Sequence, residues 1–374
     1  MVTYAAPRLA AAVVLSKAAL QPLIDKLRAR QFSVIAPVVS ESAVVLEEIE
    51  RAEQMPIGWS TQQTPGGYRL VRGNPGEYFG AVPSAHSWKR FLNLPRTDLL
   101  ISRKTEQGWT FSPAEDNAPQ LALLGVPACD LQAIQLLDRV FLGSYSDPHY
   151  LNRRHRLFIL AVNCNVPAAN CFCQSMGTGP KVKSGYDLAM TELPDSFLLY
   201  VGSEAGSELL DGLDWQPATA FDLGRAAQVE QRAERQFKRT LQTEKLPEIV
   251  FNRLESSRWD AVAERCLSCG SCTMACPTCF CNTVEESITL DGQLARRTRL
   301  WDSCFSMEFS HMHGGNSRPT TRARYRQWLT HKFASWKEQF GDLGCVGCGR
   351  CITWCPVGID VTEELRTLRG MEAK

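Results

Sequence analysis

Apolar residues fall along this chain in short runs punctuated by proline and glycine, a pattern that predicts alternating strands and helices. Residues 121–126 (LALLGV) form a continuous apolar run closed by Pro127, as expected of a buried strand. Asp130 is placed to cap a helix, and Leu131, Ile134, Leu137, Val140 and Phe141 recur at helical spacing behind it. Residues 157–162 (LFILAV) form a second apolar run. Strand, helix and strand in this order predict a parallel βαβ unit, whose two strands end on the same sheet edge. Cys129 and Cys164 directly follow those strands. Both thiols are therefore expected at the carboxyl edge, where α/β proteins bind ligands. Nearer the start, Arg8 followed by the apolar residues 9–15 faintly resembles a secretion signal. Lys17 follows at once and no twin arginine precedes the run, so a buried first element is the better expectation.

Three zones emerge. Residues 1–224 carry the mixed strand and helix signals. Residues 225–258 form a connecting helical segment: 225–246 lack glycine and proline and are rich in Gln, Glu, Arg and Ala, and Pro247 ends the run. Its apolar positions Val229, Phe237 and Leu241 are sparse, so most of its surface is expected to be wet. Residues 259–374 are dense in cysteine and include a helical stretch over 322–339. The expected fold class is α+β: an N-terminal α/β domain with a βαβ unit, then a helix-rich, ferredoxin-like dicluster domain.

The chain has 374 residues, 41 Lys plus Arg against 40 Asp plus Glu, and a net charge of +1. That balance gives no general attraction for nucleic acid. No apolar run approaches the ~20 residues that a membrane-spanning helix needs, so no membrane insertion is expected. Cysteine changes the picture, with 15 copies, 11 of them after position 265. An odd number cannot all pair, and a chain long enough to build a core has no need of a disulfide scaffold. Thiolates kept reduced in the cytoplasm and held by metal are the better expectation.

The sequence Cys266-x-x-Cys269-x-x-Cys272-x-x-x-Cys276-Pro277 recurs as Cys345-x-x-Cys348-x-x-Cys351-x-x-x-Cys355-Pro356. Three thiolates at this spacing wrap one [4Fe–4S] cube, and the fourth, before proline, serves the neighbouring cube. One cluster is thus assigned to Cys266, Cys269, Cys272 and Cys355, the second to Cys345, Cys348, Cys351 and Cys276. Zinc sites usually use two CxxC pairs and would leave the third CxxC step and the proline without a role. Cys129, Cys164, Cys171 and Cys173 are candidates for a third [4Fe–4S] cluster, with buried structural cysteines as the alternative. Cys279, Cys281 and Cys304 are too few for a site and are expected to pack near the first cluster. Arg296, Arg297, Arg299, Arg318, Arg322, Arg324 and Arg326 concentrate positive charge, read first as a solvated face and otherwise as cluster compensation or a docking surface. His311 and His313 could ligate iron, but the eight motif thiols leave no vacancy for them. No GxGxxG or GxxxxGK[ST] motif is present, so no catalytic, flavin or nicotinamide site is assigned to this chain.

The segments Gly125-Val-Pro-Ala-Cys-Asp130, Asp138-Arg-Val-Phe141, Asn163-Cys164, Cys171-Phe-Cys173 with Ser175-Met-Gly-Thr-Gly-Pro180, Cys276-Pro-Thr-Cys-Phe-Cys281, Trp301-Asp-Ser-Cys304 and the final motif occur together here. In this combination the chain resembles the β subunits of soluble cytoplasmic [NiFe] hydrogenases of the sulfhydrogenase type, and the related A subunits of anaerobic sulfite reductases. The resemblance spans roughly residues 120–360. It implies an electron-transfer iron–sulfur subunit of a multi-subunit oxidoreductase, partnered by a flavoprotein that handles NAD(P) and by hydrogenase small and large subunits. The two versions differ in their partner subunits. A stand-alone redox-sensing iron–sulfur protein is the alternative from another class.

Overall fold

The computed structural model describes residues 6–370. Its N-terminal part is built on an eight-stranded mixed sheet. In spatial order the strands are Trp215–Pro217, Ala12–Ser16, Ser196–Val201, Leu188–Glu192, Leu157–Val162, Leu121–Pro127, Ser33–Ser40 and Ala43–Glu48. The four strands from 188–192 to 33–40 are parallel and the flanking pairs antiparallel. The expected βαβ unit is present: strand 121–127, helix Ala128–Phe141 and strand 157–162, with Leu121 opposite Leu157 and Pro127 opposite Val162. Residues 9–15 supply the strand Ala12–Ser16, with Val13 and Leu15 buried.

Apolar cores cover both sheet faces. Leu20, Leu23, Ile24 and Leu27 on helix Leu20–Ala29 pack on one, at the i, i+3, i+4, i+7 spacing of a core-facing stripe. Leu131, Ile134, Leu137 and Phe141 of helix 128–141 pack on the other. Gly125 has φ +90° at a bulge between Leu124 and Val126, and a Cβ there would lie 2.7 Å from the Phe79 ring. Only glycine fits the strand end that turns into the helix.

Two elements differ from their sequence reading. Asp130 does not cap its helix, whose first residue Ala128 follows Pro127. Its carboxylate is buried and accepts two hydrogen bonds from the Arg350 guanidinium, at 2.8 and 2.6 Å. A bidentate charged pair outweighs one capping bond to a backbone N–H. The helix expected over 225–246 runs Ala220–Arg235, opened by a capping box between Thr219 and Asp222. Ala226, Val229 and Ala233 pack it against the sheet, and most of the rest of its surface is exposed, as expected. Beyond Arg235 tertiary anchors override helix propensity. Arg239 binds Asp360 at 2.7 Å, and Leu241 enters the C-terminal core. Pro247 is the second residue of the next helix, Leu246–Phe251, where its missing N–H costs nothing.

The C-terminal part is helix-rich around a core of Trp259, Phe305, Tyr325, Trp328, Phe333 and neighbours. The stretch predicted helical over 322–339 is Thr321–Thr330, a π-helical turn His331–Ser335, and Trp336–Phe340. The two parts are interlaced. A four-stranded antiparallel sheet joins strands Arg96–Thr105 and Gly108–Pro113 to strands Asn282–Ile288 and Leu294–Trp301. The hairpin Trp59–Arg72 reaches the last cysteine motif: Gly66 N–H donates to Ile352 O at 3.0 Å, and Tyr68 stacks on Trp354 at 5.4 Å. Among the described residues no helix is long and apolar enough to cross a membrane.

Because Asp130 and Arg350 tie the two parts together from a buried site, Asp130→Ala strands a guanidinium without a counter-charge. The expected cost is about 3–5 kcal/mol. A lowered guanidinium-chloride midpoint under anaerobic conditions checks this, and an unchanged midpoint contradicts it.

Candidate metal centre

Each cysteine motif is a tight loop running into a one-turn helix, Ser271–Met274 in the first and Arg350–Thr353 in the second. The two loops share a contact and a backbone turn. Ser268 N–H points to Cys266 Sγ at 3.4 Å, and Gly347 N–H points to Cys345 Sγ at 3.4 Å. Both residues have positive φ, +51° and +66°. Left-handed backbone turns the N–H inward, toward a sulfur that gains from hydrogen bonds when ionised. Ile359 N–H reaches Cys355 Sγ at 3.3 Å from beyond the second motif.

Three cavities open among the thiols. The first is lined by Cys266, Cys269, Cys272, Cys355 and Cys351. The second is lined by Cys276, Cys345, Cys348 and Cys351. The third is lined by Cys129, Cys164, Cys171, Cys173 and Cys348. Cys276 faces the cavity of the other motif, as does Cys355. Cys351 is common to the first and second cavities and Cys348 to the second and third, so the three lie in a row. Cys129 and Cys164 meet at the carboxyl edge of the large sheet, with Pro127 and Val162 beside them. The Cys171-Phe172-Cys173 segment is pinned to the second motif, since Phe172 N–H donates to Gly347 O at 2.8 Å and the Thr178 hydroxyl donates to Val346 O at 2.6 Å.

The donor set is all sulfur, the ligand class of iron–sulfur clusters. Tyr325 Oη and Trp328 Nε1, on the first cavity, and Trp354 Nε1, on the third, are buried without a protein partner. Buried donors seek acceptors, and cluster sulfur supplies them. Burial and then neighbouring thiols push Cys272 and Cys351 well above the usual thiol range, and Cys164 up to about 12. Four thiolates become stable among such apolar walls only on a cationic iron core. The residues therefore fit [4Fe–4S] groups. Among the described residues no three His, Cys, Asp or Glu side chains close on a point narrow enough for a single metal ion.

The remaining cysteines are divided. Cys279 lies against Cys276, and Cys304 against Cys281, with Cys272 close by. A hydrogen bond from Cys304 holds the Cys281 thiol down at about 7. These two thiols open on a separate cavity with His331 and Arg318. His311 and His313 are exposed and line none of the three thiol cavities. The arginine group is mostly committed to ion pairs: Arg297 with Glu286, Arg299 with Asp147, Arg322 with Glu255 and Asp260, and Arg326 with Glu255.

Three groups escaped the sequence reading. Lys89 and Lys332 are both buried beside the cysteines, each 4% exposed. Lys332 carries a signal of a kind: it interrupts the apolar stripe of Trp328, Leu329, Phe333, Ala334 and Trp336. Arg350, inside the second motif, had no visible partner until folding delivered Asp130.

Comparison with known proteins matches residues 265–359 to a 4Fe-4S dicluster domain. That match indicates [4Fe–4S] clusters in this segment. The chain is also 35% identical over 286 residues to the sulfhydrogenase 2 subunit beta of Pyrococcus furiosus, an alignment covering 75% of this chain and 82% of the relative. No solved structure matches.

Gly347 lets the second motif press against the Cys171-Phe172-Cys173 segment, for a Cβ there would lie 2.6 Å from Cys173 N. Gly292 has the same φ of +66° with nothing within 4 Å of such a Cβ. Left-handed strain alone costs about 1–3 kcal/mol. Gly292→Ala is thus expected to show that strain only, whereas Gly347→Ala also loses bound iron. Equal iron contents in the two variants would contradict the close approach.

Proposed function

The chain belongs to the family of sulfhydrogenase beta subunits, and from that premise we propose that it is the iron–sulfur electron-transfer subunit of an NAD(P)-linked [NiFe] hydrogenase complex. Its partners are a flavoprotein that handles NAD(P) and the hydrogenase small and large subunits. Family membership supports the hydrogenase reading over an anaerobic sulfite reductase subunit or a stand-alone redox sensor. The observation that carries the relay itself is the row of three thiol cavities with shared walls at Cys351 and Cys348.

Cys266, Cys269, Cys272 and Cys355 hold the first cluster, Cys345, Cys348, Cys351 and Cys276 the second, and Cys129, Cys164, Cys171 and Cys173 the third. When bound, each cluster takes up and releases one electron. The chain fixes their spacing, excludes water with Phe172, Phe305, Trp328 and Phe333, and keeps neighbouring sites within one residue of each other. The crossed placement of Cys276 and Cys355 braces the first two sites together.

Anaerobically purified protein is expected to carry about twelve irons per chain. A value near eight, unchanged by Cys129→Ala, would remove the third site. Cys276→Ala is expected to damage the cluster of Cys345, Cys348 and Cys351 more than that of Cys266, Cys269 and Cys272. Mössbauer and EPR spectra of the variant read this directly, and selective loss of the first cluster would refute the crossing. The purified chain without other subunits is expected to reduce no dye from hydrogen or NADPH. Robust reduction would overturn the relay reading.

A further inference from the structure

Lys332 is a cation in the middle of the row. It lies in the π-helical turn His331–Ser335, which folds it into the core together with Phe333 and Ala334. Its Nζ donates to Thr278 Oγ1 at 3.0 Å and to Gly344 O at 3.0 Å. Thr278 Oγ1 lies 3.2 Å from Cys276 Sγ. Among the described residues Lys332 forms no ion pair with a carboxylate, and the groups that face it are the sulfurs of Cys276, Cys279 and Cys345.

A buried ammonium without a carboxylate is costly unless some other negative charge faces it. The neighbouring sites lack an equivalent. The first cavity has no charged residue on its wall. The third has Arg350, whose charge is already matched by Asp130. Arg324, buried behind the first motif, donates to Arg318 O, Pro319 O and Ser268 Oγ. Lys89 donates to Cys279 O at 2.9 Å and stands 3.9 Å over the Trp301 ring; it acts on the Cys279 and Cys276 thiols from that position, and, unlike Lys332, does not line the central cavity.

We propose that Lys332 is a charge-positioning residue for the central site, and that its ammonium makes the cluster held by Cys276, Cys345, Cys348 and Cys351 the first of the three to accept an electron. This rests on the cluster assignment given above. An added electron deepens the negative charge of the cluster, and a fixed cation in a low-dielectric core stabilises the reduced form more than the oxidised one. The lysine transfers nothing and need not change protonation.

The test is a potentiometric EPR titration of the full chain, isolated anaerobically with the subunits that copurify. The first reduced-cluster signal to appear in the wild type is expected to be the one shifted or lost in Cys345→Ser. In Lys332→Gln the reduced-to-oxidised ratio of that cluster at fixed potential is expected to fall at least tenfold, about 59 mV for a one-electron couple. The other midpoints stay in place, and Lys332→Arg restores the wild-type value. An unmoved midpoint with iron intact, equal shifts at all three clusters, or a first signal indifferent to Cys345→Ser would overturn the proposal. If Lys332→Gln loses iron, Thr278→Val reads the same contact with the lysine kept. Its central midpoint is then expected to fall, and constancy overturns the proposal. Absence of a Cys345-dependent signal in the wild type, with correspondingly less iron, would instead refute the cluster assignment.

Discussion

The loop of residues 345–351 is pressed against the carboxyl edge of the large sheet, and the rest of the architecture depends on that seam. Three kinds of contact make it. Arg350 forms its bidentate pair with Asp130. Phe172 N–H and the Thr178 hydroxyl hold the carbonyls of Gly347 and Val346. Gly347 and Gly349 lack the Cβ atoms that would strike Cys173 N and Asn170 O. Remove the seam and the third cavity loses its Cys348 wall, and the row of thiols falls into two unrelated groups. A ferredoxin-like module and an α/β domain joined by a tether would not need such close backbone approach. Here the packing that holds the parts together also sets the distance between the second and third thiol cavities.

Much of this was legible in the chain itself. The repeated CxxCxxCxxxCP spacing carries its geometry locally, because each loop is short and its fourth cysteine sits one helical turn away. The βαβ unit was legible because both strands are apolar on both faces and the helix between them keeps an uninterrupted stripe from Leu131 to Phe141. That unit alone was enough to send Cys129 and Cys164 to one edge. What failed was read from local preference where a distant partner decided otherwise. Asp130 has the chemistry of a cap, but Arg350, 220 positions away, claims it. Residues 236–245 have helical composition, but Arg239 and Leu241 are tied to the C-terminal core and pull the backbone out of the helix.

Lys332 shows a different limit. In sequence it lies four positions from both Trp328 and Trp336, so helical periodicity places it on their apolar face, and only its charge argues for water. The residue sits in a π-helical turn whose side chains Lys332, Phe333 and Ala334 are all buried. Such turns recur at functional positions because they are costly to keep for structure alone. The buried charge pattern also distinguishes sites with nearly identical ligand sets: one without a charged wall, one with an unmatched ammonium, one with a neutralised guanidinium.

The exchange of Cys276 and Cys355 between cavities has a consequence for synthesis. The first cavity draws its last thiol from position 355, and the second cannot begin to form before position 345. A ribosome that has released only the first motif exposes a site with three thiols facing a common cavity and a fourth turned away from it. The third cavity has its own four thiols by position 173 but gains its Cys348 wall only near the end of the chain. Iron delivered to a nascent chain would therefore meet incomplete ligand sets at the first two cavities throughout most of translation. The fold favours loading of these two as a late and nearly simultaneous event, after the C-terminal loop has docked on the sheet.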